Sequence, residues 1–404
     1  MQKHTLTTHA RSLIDQFCVQ IDSRRLGSDG NRRASAIFDE WMAEQGFAVE
    51  KQAFDCQDWQ GEGASLTIDA QPFEVFPSPH SLGCQVEAEL VVATTLDELK
   101  QTYAQGKLLL LRGEIAQTQL FPTNYPYYYP DEHRAIYEAL SAAQPAAILT
   151  ATAFSPDVAG AQYPLQMIED GNFDIPSVYL SEEEGLRLAG FAGKTACLDS
   201  RCRRIFTHAW NSLARLNPRA EGKLVLCAHI DAKPDAPGAL DNAAGIVTLM
   251  LLAELLKGHQ PGTCVEIVSL NGEDHYAAAG EMAYLASLHG SLDSIRLVVN
   301  LDGLGFVGSD TAWSLYECPD ELADLVRSSL QAHPGLVEGD PWFQGDHMVF
   351  TQQGVPAVAL TSTDLGQMMQ HITHTPNDSP DKVDPQKLAE AALALRDLVM
   401  ALTA

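Results

Sequence analysis

The sequence predicts an α/β fold with a mainly parallel mixed sheet sandwiched by helices, into which a mostly β module is inserted. Three observations predict it. After Phe206 the chain alternates short apolar runs with helical patterns, the signature of a layered α/β sheet. Those runs are continuously apolar, as strands buried on both faces must be. Between about 58 and 204 the texture differs, with short apolar runs divided by turn residues, so a second structural unit interrupts the first.

Taken in order, residues 6–45 carry apolar positions at helical spacing: Leu13, Ile14 and Phe17, then Ala36, Ile37, Trp41 and Met42. A strand is expected over 47–54. Within the insert, strands are expected at 89–93, 107–111, 146–150 and 175–180, with a helix over 132–143. A stretch holding Tyr125, Tyr127, Tyr128 and Tyr129 reads as a packed loop, or as an arm toward a cleft. Beyond the insert the order is strand 224–228, helix 245–256, strand 264–270, helix 280–288, strand 295–301, strand 355–360 and a closing amphipathic helix 386–402.

A chain of 404 residues exceeds one ordinary core, so two domains are expected. Hydrophobic residues make up 46% and charged ones 20%, the composition of a globular protein. The 53 acidic residues outnumber 26 basic ones, giving a formal charge of -27. That balance argues against nucleic acid or an anionic membrane as partner, since both demand a basic footprint. The first 20 residues lack a secretory layout, and no apolar run reaches a membrane span. The eight cysteines form no C-x-x-C pair, which fits reduced thiols in a cytoplasmic protein.

Chemistry gathers where the expected strands end. Strand 224–228 runs into His229-Ile-Asp231, and the following loop delivers Asp241. Strand 264–270 ends in Asn271-Gly-Glu273-Asp274, strand 295–301 in Asp302, and a late segment reads His371-Ile-Thr-His374. In parallel sheets, sites form just beyond the carboxyl ends of strands. Crowded carboxylates are costly unless positive charge sits among them, and two Zn²⁺ ions would supply it. Imidazole nitrogen and carboxylate oxygen are normal zinc ligands, and one carboxylate can bridge two ions. A water between such ions is acidic enough to attack near neutral pH, and a further carboxylate is then needed to carry its proton. Each residue alone has a plainer reading: His229 as a packed histidine, Asp241 as a helix cap, Asp302 as a turn residue, Glu273 and Asp274 as a solvated pair.

Together the segments HID at 229–231, GALDNAAG at 238–245, ED at 273–274, NLDG at 300–303 and HTPND at 374–378 resemble the M28 family of zinc aminopeptidases. The stretch Gly345-Asp346-His347 to Phe350, then Gly354-Val-Pro356, is similar as well, as is Arg25-Leu-Gly27-Ser28-Asp-Gly30-Asn31. The resemblance implies a peptidase domain at 1–57 and 205–404, and a protease-associated-like insert at 58–204. It implies a co-catalytic site with His229 and Asp302 on one zinc, Asp274 and His374 on the other, and Asp241 bridging. Glu273 is then the general base and Asp231 the acceptor of the outer N–H of His229. It also places a cis peptide bond at Asp241–Asn242. Co²⁺ or Mn²⁺ would suit the same ligands. Where some members carry a Tyr before the last His, this chain has Thr373, leaving Tyr276, His371 or His347 as stand-ins to polarise the scissile carbonyl. The implied substrate is a peptide, cleaved at its amino terminus. Two other readings share the fold: a one-zinc glutaminyl cyclase, and a non-catalytic receptor. The sequence leaves the oligomeric state open.

Overall fold

The computed structural model describes residues 2–125, 129–154, 163–288 and 290–403. The chain divides into two compact units, one of residues 1–56 and 208–404, the other of residues 57–207.

In the first unit the sheet order is Leu336–Glu338, Thr311–Tyr316, Ala357–Ser362, Ile295–Leu301, Lys223–His229, Cys264–Leu270 and then the end of Thr195–Leu216. The strands Ala357–Ser362, Ile295–Leu301, Lys223–His229 and Cys264–Leu270 run parallel to one another. Their carboxyl ends therefore lie on one side. Sandwiching explains their composition: all seven residues of Cys264–Leu270 are buried. The helix Ala244–Leu255 has ten buried residues, because it is apolar all round and packs into the core rather than along its surface. Its one hydroxyl within that run, Thr248, donates back to Ala244 O at 2.8 Å. Leu249, Leu251 and Leu252 are fully buried there, and truncating any of them to Ala would cost about 2–5 kcal/mol.

The amino-terminal helical region is two helices, Gln2–Cys18 and Asp29–Glu44. The break falls where Gly27 takes φ +77 and Ser28 caps the second helix, accepting from Asn31 N at 3.1 Å. The expected strand at 47–54 extends over Ala48–Ile68. Strand Thr311–Tyr316 and helix Asp320–Leu330 were not expected from apolar runs.

The second unit has parallel strands Cys84–Ala93, Leu108–Leu111, Ala147–Thr152 and Ser177–Ser181. The run of four leucines serves both faces: Leu109 and Leu111 enter one apolar cluster, Leu108 and Leu110 another. The expected helix lies at Asp131–Ala143, joined by Leu96–Gln101 and Glu182–Ala189, so the strands carry helical cover as well. Tyr129 packs against the first cluster, while Tyr127 and Tyr128 lie outside the described residues.

Candidate metal centre

His229, Asp231, Glu273, Asp274 and Asp302 sit at or just past strand ends, whereas Asp241 lies in the loop before the core helix and His374 follows the helix Leu365–His371. His229 closes its strand and is fully buried. Asp302 directly follows the next strand, its N–H donating to Leu360 O at 2.9 Å. Asp274 lies four residues beyond Leu270. Asp241 sits in the loop before the core helix, and the peptide bond to Asn242 is cis. The Asn242 side chain ties that loop down, donating to Leu301 O at 2.7 Å and accepting from Gly245 N at 3.0 Å.

These side chains converge. His229 Nε2 stands 3.1 Å from Asp241 Oδ1 and 3.7 Å from Asp302 Oδ1. His374 Nε2 stands 3.1 Å from Asp241 Oδ2 and 3.0 Å from Asp274 Oδ1. Two ligand atoms about 2.0–2.1 Å from one tetrahedral ion are separated by about 3.3 Å, so these spacings fit ligands sharing a metal. His229, Asp241 and Asp274 offer ligand atoms within 4.8 Å of one another. Asp274 Oδ2 is buried without a hydrogen-bond partner, an acceptor that a cation would satisfy. The side chains of His374, Asp302 and Asp241 are 29%, 16% and 14% exposed, so the cluster is open on one side to an incoming molecule.

The electrostatics tell the same story. Burial alone would lower the imidazole of His229, yet Asp231, Asp241 and Asp302 hold it well above its usual range. His374 is likewise raised against burial, by Asp274 and Asp241. Burial would raise Asp241, but the two imidazoles hold it below the usual carboxylate range. Burial pushes Glu273 well up, and Asp274, Asp302 and Asp346 push it further. Without a metal, protons on the imidazoles neutralise the crowd of carboxylates.

Asp231 departs from expectation. Its Oδ1 is 3.6 Å from His229 Nδ1, beyond hydrogen-bond range. Its oxygens instead accept from Gly272 N at 2.6 Å and Asp274 N at 3.1 Å, so this carboxylate holds the loop that carries Glu273 and Asp274. Of the stand-ins for a carbonyl donor, His347 is fully buried. Its ring nitrogens face Asn300 Nδ2 at 3.3 Å and Trp342 O at 3.1 Å, and burial lowers it to about 4. His347 is thus committed to packing.

Three carboxyls near the site were not singled out by sequence. Asp378 accepts from Leu240 N at 2.7 Å and Asp241 N at 3.1 Å, and burial beside Asp241 pushes it up to about 7. Glu281 is pushed up to about 8 by burial, with Glu273 adding to the rise. Asp346 is raised by burial and by Glu281. Asp378 and Asp346 stand inside the matched motifs, which was the available signal.

A parallel sheet with imidazoles and carboxylates clustered past its strand ends defines a candidate metal centre on an α/β fold. The sequence model of Peptidase family M28 matches residues 211–399. That stretch is 189 of the chain's 404 residues, and through it the chain is similar to family M28. The structure resembles an aminopeptidase from Aneurinibacillus sp. strain AM-1 (TM-score 0.75, 20% identity, covering 99% of this chain and 96% of the other). It also resembles BSAP, a zinc aminopeptidase from Bacillus subtilis (TM-score 0.74, 18% identity, 97% and 94% covered). At such identities the likeness is one of fold. The sequence is 26% identical over 229 residues to a glutaminyl-peptide cyclotransferase from Drosophila melanogaster, spanning 47% of this chain and 64% of that relative's length. Among the described residues, no helix is long and apolar enough to cross a membrane.

Proposed function

We propose that the chain is a two-zinc aminopeptidase that releases amino-terminal residues from peptides, with the base Glu273. The observation that carries this reading is that His229 and His374 face opposite oxygens of one carboxylate, each at 3.1 Å from Asp241. That is the arrangement a bridging ligand requires. His229 with Asp302, and His374 with Asp274, complete the two positions, and the same residues would accept Co²⁺ or Mn²⁺. Bound there, two ions would polarise the scissile carbonyl and acidify a water. Glu273 takes the proton of the attacking water and delivers it to the leaving amine. Asp231 keeps Glu273 and Asp274 in place through the main chain of their loop. The reading takes 1–57 and 205–404 as the peptidase domain, and 58–204 as a protease-associated-like insert. The eight cysteines, all free thiols, suit a cytoplasmic setting.

Hydrolysis of amino-acid p-nitroanilides by the zinc-loaded protein, with N-acetylated peptides inert, is the expected result. Cyclisation of amino-terminal glutamine without hydrolysis would overturn the reading in favour of the cyclotransferase chemistry. Inertness on both substrates would favour a receptor.

His374→Ala removes one ligand pair and is expected to lower bound zinc from about two ions per chain to about one. Elemental analysis decides it; unchanged zinc would remove His374 from the ligand set. A pH dependence follows from the raised imidazoles. Both have folded values well above 6.5, so in metal-free protein their stabilisation is complete below 6.5 and is lost as pH rises through the folded values. Zinc must displace those protons, so its affinity rises with pH. Thermal midpoints with chelator should fall as pH increases above 6.5, and the gain on adding zinc should widen. A constant gain across that range would contradict the assignment.

A further inference from the structure

The segment between the two amino-terminal helices has no role in the zinc reading, yet it reaches the loop that carries Asp241. Arg24 is 2% exposed, a costly placement for a guanidinium. Four of its hydrogen bonds end on main-chain carbonyls. Nε donates to Ile230 O at 3.0 Å, Nη1 to Phe17 O at 3.2 Å and Pro237 O at 2.7 Å, and Nη2 to Gly238 O at 2.8 Å. Three of those acceptors belong to the stretch between His229 and Asp241. A residue that only capped the helix Gln2–Cys18 would need Phe17 O alone.

Arg24 is itself held. Asn31 Nδ2 donates to Arg24 O at 3.1 Å, and the same amide donates to Asn271 Oδ1 at 2.8 Å, at the start of the Glu273–Asp274 loop. From the other side Asp378 gathers the N–H groups of Leu240 and Asp241. The guanidinium thus collects carbonyls and the carboxylate collects N–H groups of one short loop. Between them Gly238 sits at φ +64, where a Cβ would lie 2.7 Å from Arg24 Nη2 and 2.6 Å from Asp241 O. The loop has no slack there.

We infer that Arg24 is a positioning residue for metal binding: with Asp378 it clamps residues 230–241 so that both oxygens of Asp241 face the two imidazoles. The inference rests on the reading of Asp241 as a ligand. Arg suits the task because its planar fork reaches several carbonyls at once, which an ammonium does not.

The test is zinc competition against a chromophoric chelator, with folding followed by circular dichroism, for the full chain and the variants Arg24→Gln, Arg24→Lys and Asp378→Asn. Arg24→Gln is expected to weaken zinc binding by about 10–100-fold, the usual effect of losing a group that orients a ligand. Arg24→Lys should fall between it and wild type, and Asp378→Asn should weaken binding comparably. Combining Arg24→Gln with Asp378→Asn should cost less than the sum of the two, because both act on one loop. A folded Arg24→Gln protein with wild-type affinity overturns the inference. Should that variant not fold, wild-type affinity in Asp378→Asn overturns it equally. If the unaltered protein takes up no zinc, the metal-centre reading itself falls, and the clamp with it.

Discussion

Glu273→Gln is expected to lower kcat by roughly a thousandfold while leaving zinc content unchanged. Gln matches Glu in size but cannot carry a proton, so the change isolates proton transfer from packing. Metal content should survive because the proposed ligand in this loop is the neighbour Asp274, whose N–H donates to Asp231. Burial and the carboxylates of Asp274, Asp302 and Asp346 raise Glu273. The effect should fall on kcat rather than on KM, because the proton moves only in the transition state. Steady-state kinetics with parallel zinc analysis measure it. Activity within tenfold of wild type, at full zinc content, would remove Glu273 from the mechanism.

The parallel strands are legible in sequence because both their faces are covered. Continuous runs such as 264–270 then have no other explanation, and their ends point to the site. Thr311–Tyr316 escapes that rule, since Thr311 and Ser314 interrupt its apolar residues although nearly all six are buried. Three of the proposed ligands are legible for a related reason: His229, Asp274 and Asp302 stand at or within four residues of the end of a buried run, where an imidazole or carboxylate stands out. The groups that hold them are not. Arg24 acts on carbonyls more than 200 positions away, and main-chain acceptors carry no residue signature. Asp231 shows the limit from the other direction. Its spacing from His229 suggests a local partner, while its bonds go to the loop of the neighbouring strand.

Glu266→Ala is expected to destabilise the unit of residues 1–56 and 208–404 by about 3 kcal/mol or more. Glu266 lies within the fully buried strand Cys264–Leu270 and has no exposed side-chain surface. Arg215 stands directly opposite on the antiparallel neighbour and pairs with it. Lys223 reaches its other oxygen at 2.8 Å, and the buried Tyr284 hydroxyl donates to that oxygen at 2.6 Å. Removing the carboxylate leaves Lys223 and the Tyr284 hydroxyl without this acceptor, while Arg215 keeps only its pair with Glu50, and groups left without a partner cost more than the network contributed. A pH signature separates this from simple loss of volume. Burial would raise Glu266, but Lys223, Tyr284 and Arg215 hold it below 4.5. A lowered folded value means its stabilisation is complete above 4.5 and is lost as pH falls through that value. The gap in thermal midpoint between wild type and Glu266→Ala should therefore be widest near neutral pH and shrink in acid. Tyr284→Phe removes one donor and keeps the ion pairs, so it should cost only about 1 kcal/mol. A gap that stays constant into acid would show that Glu266 contributes packing volume rather than charge.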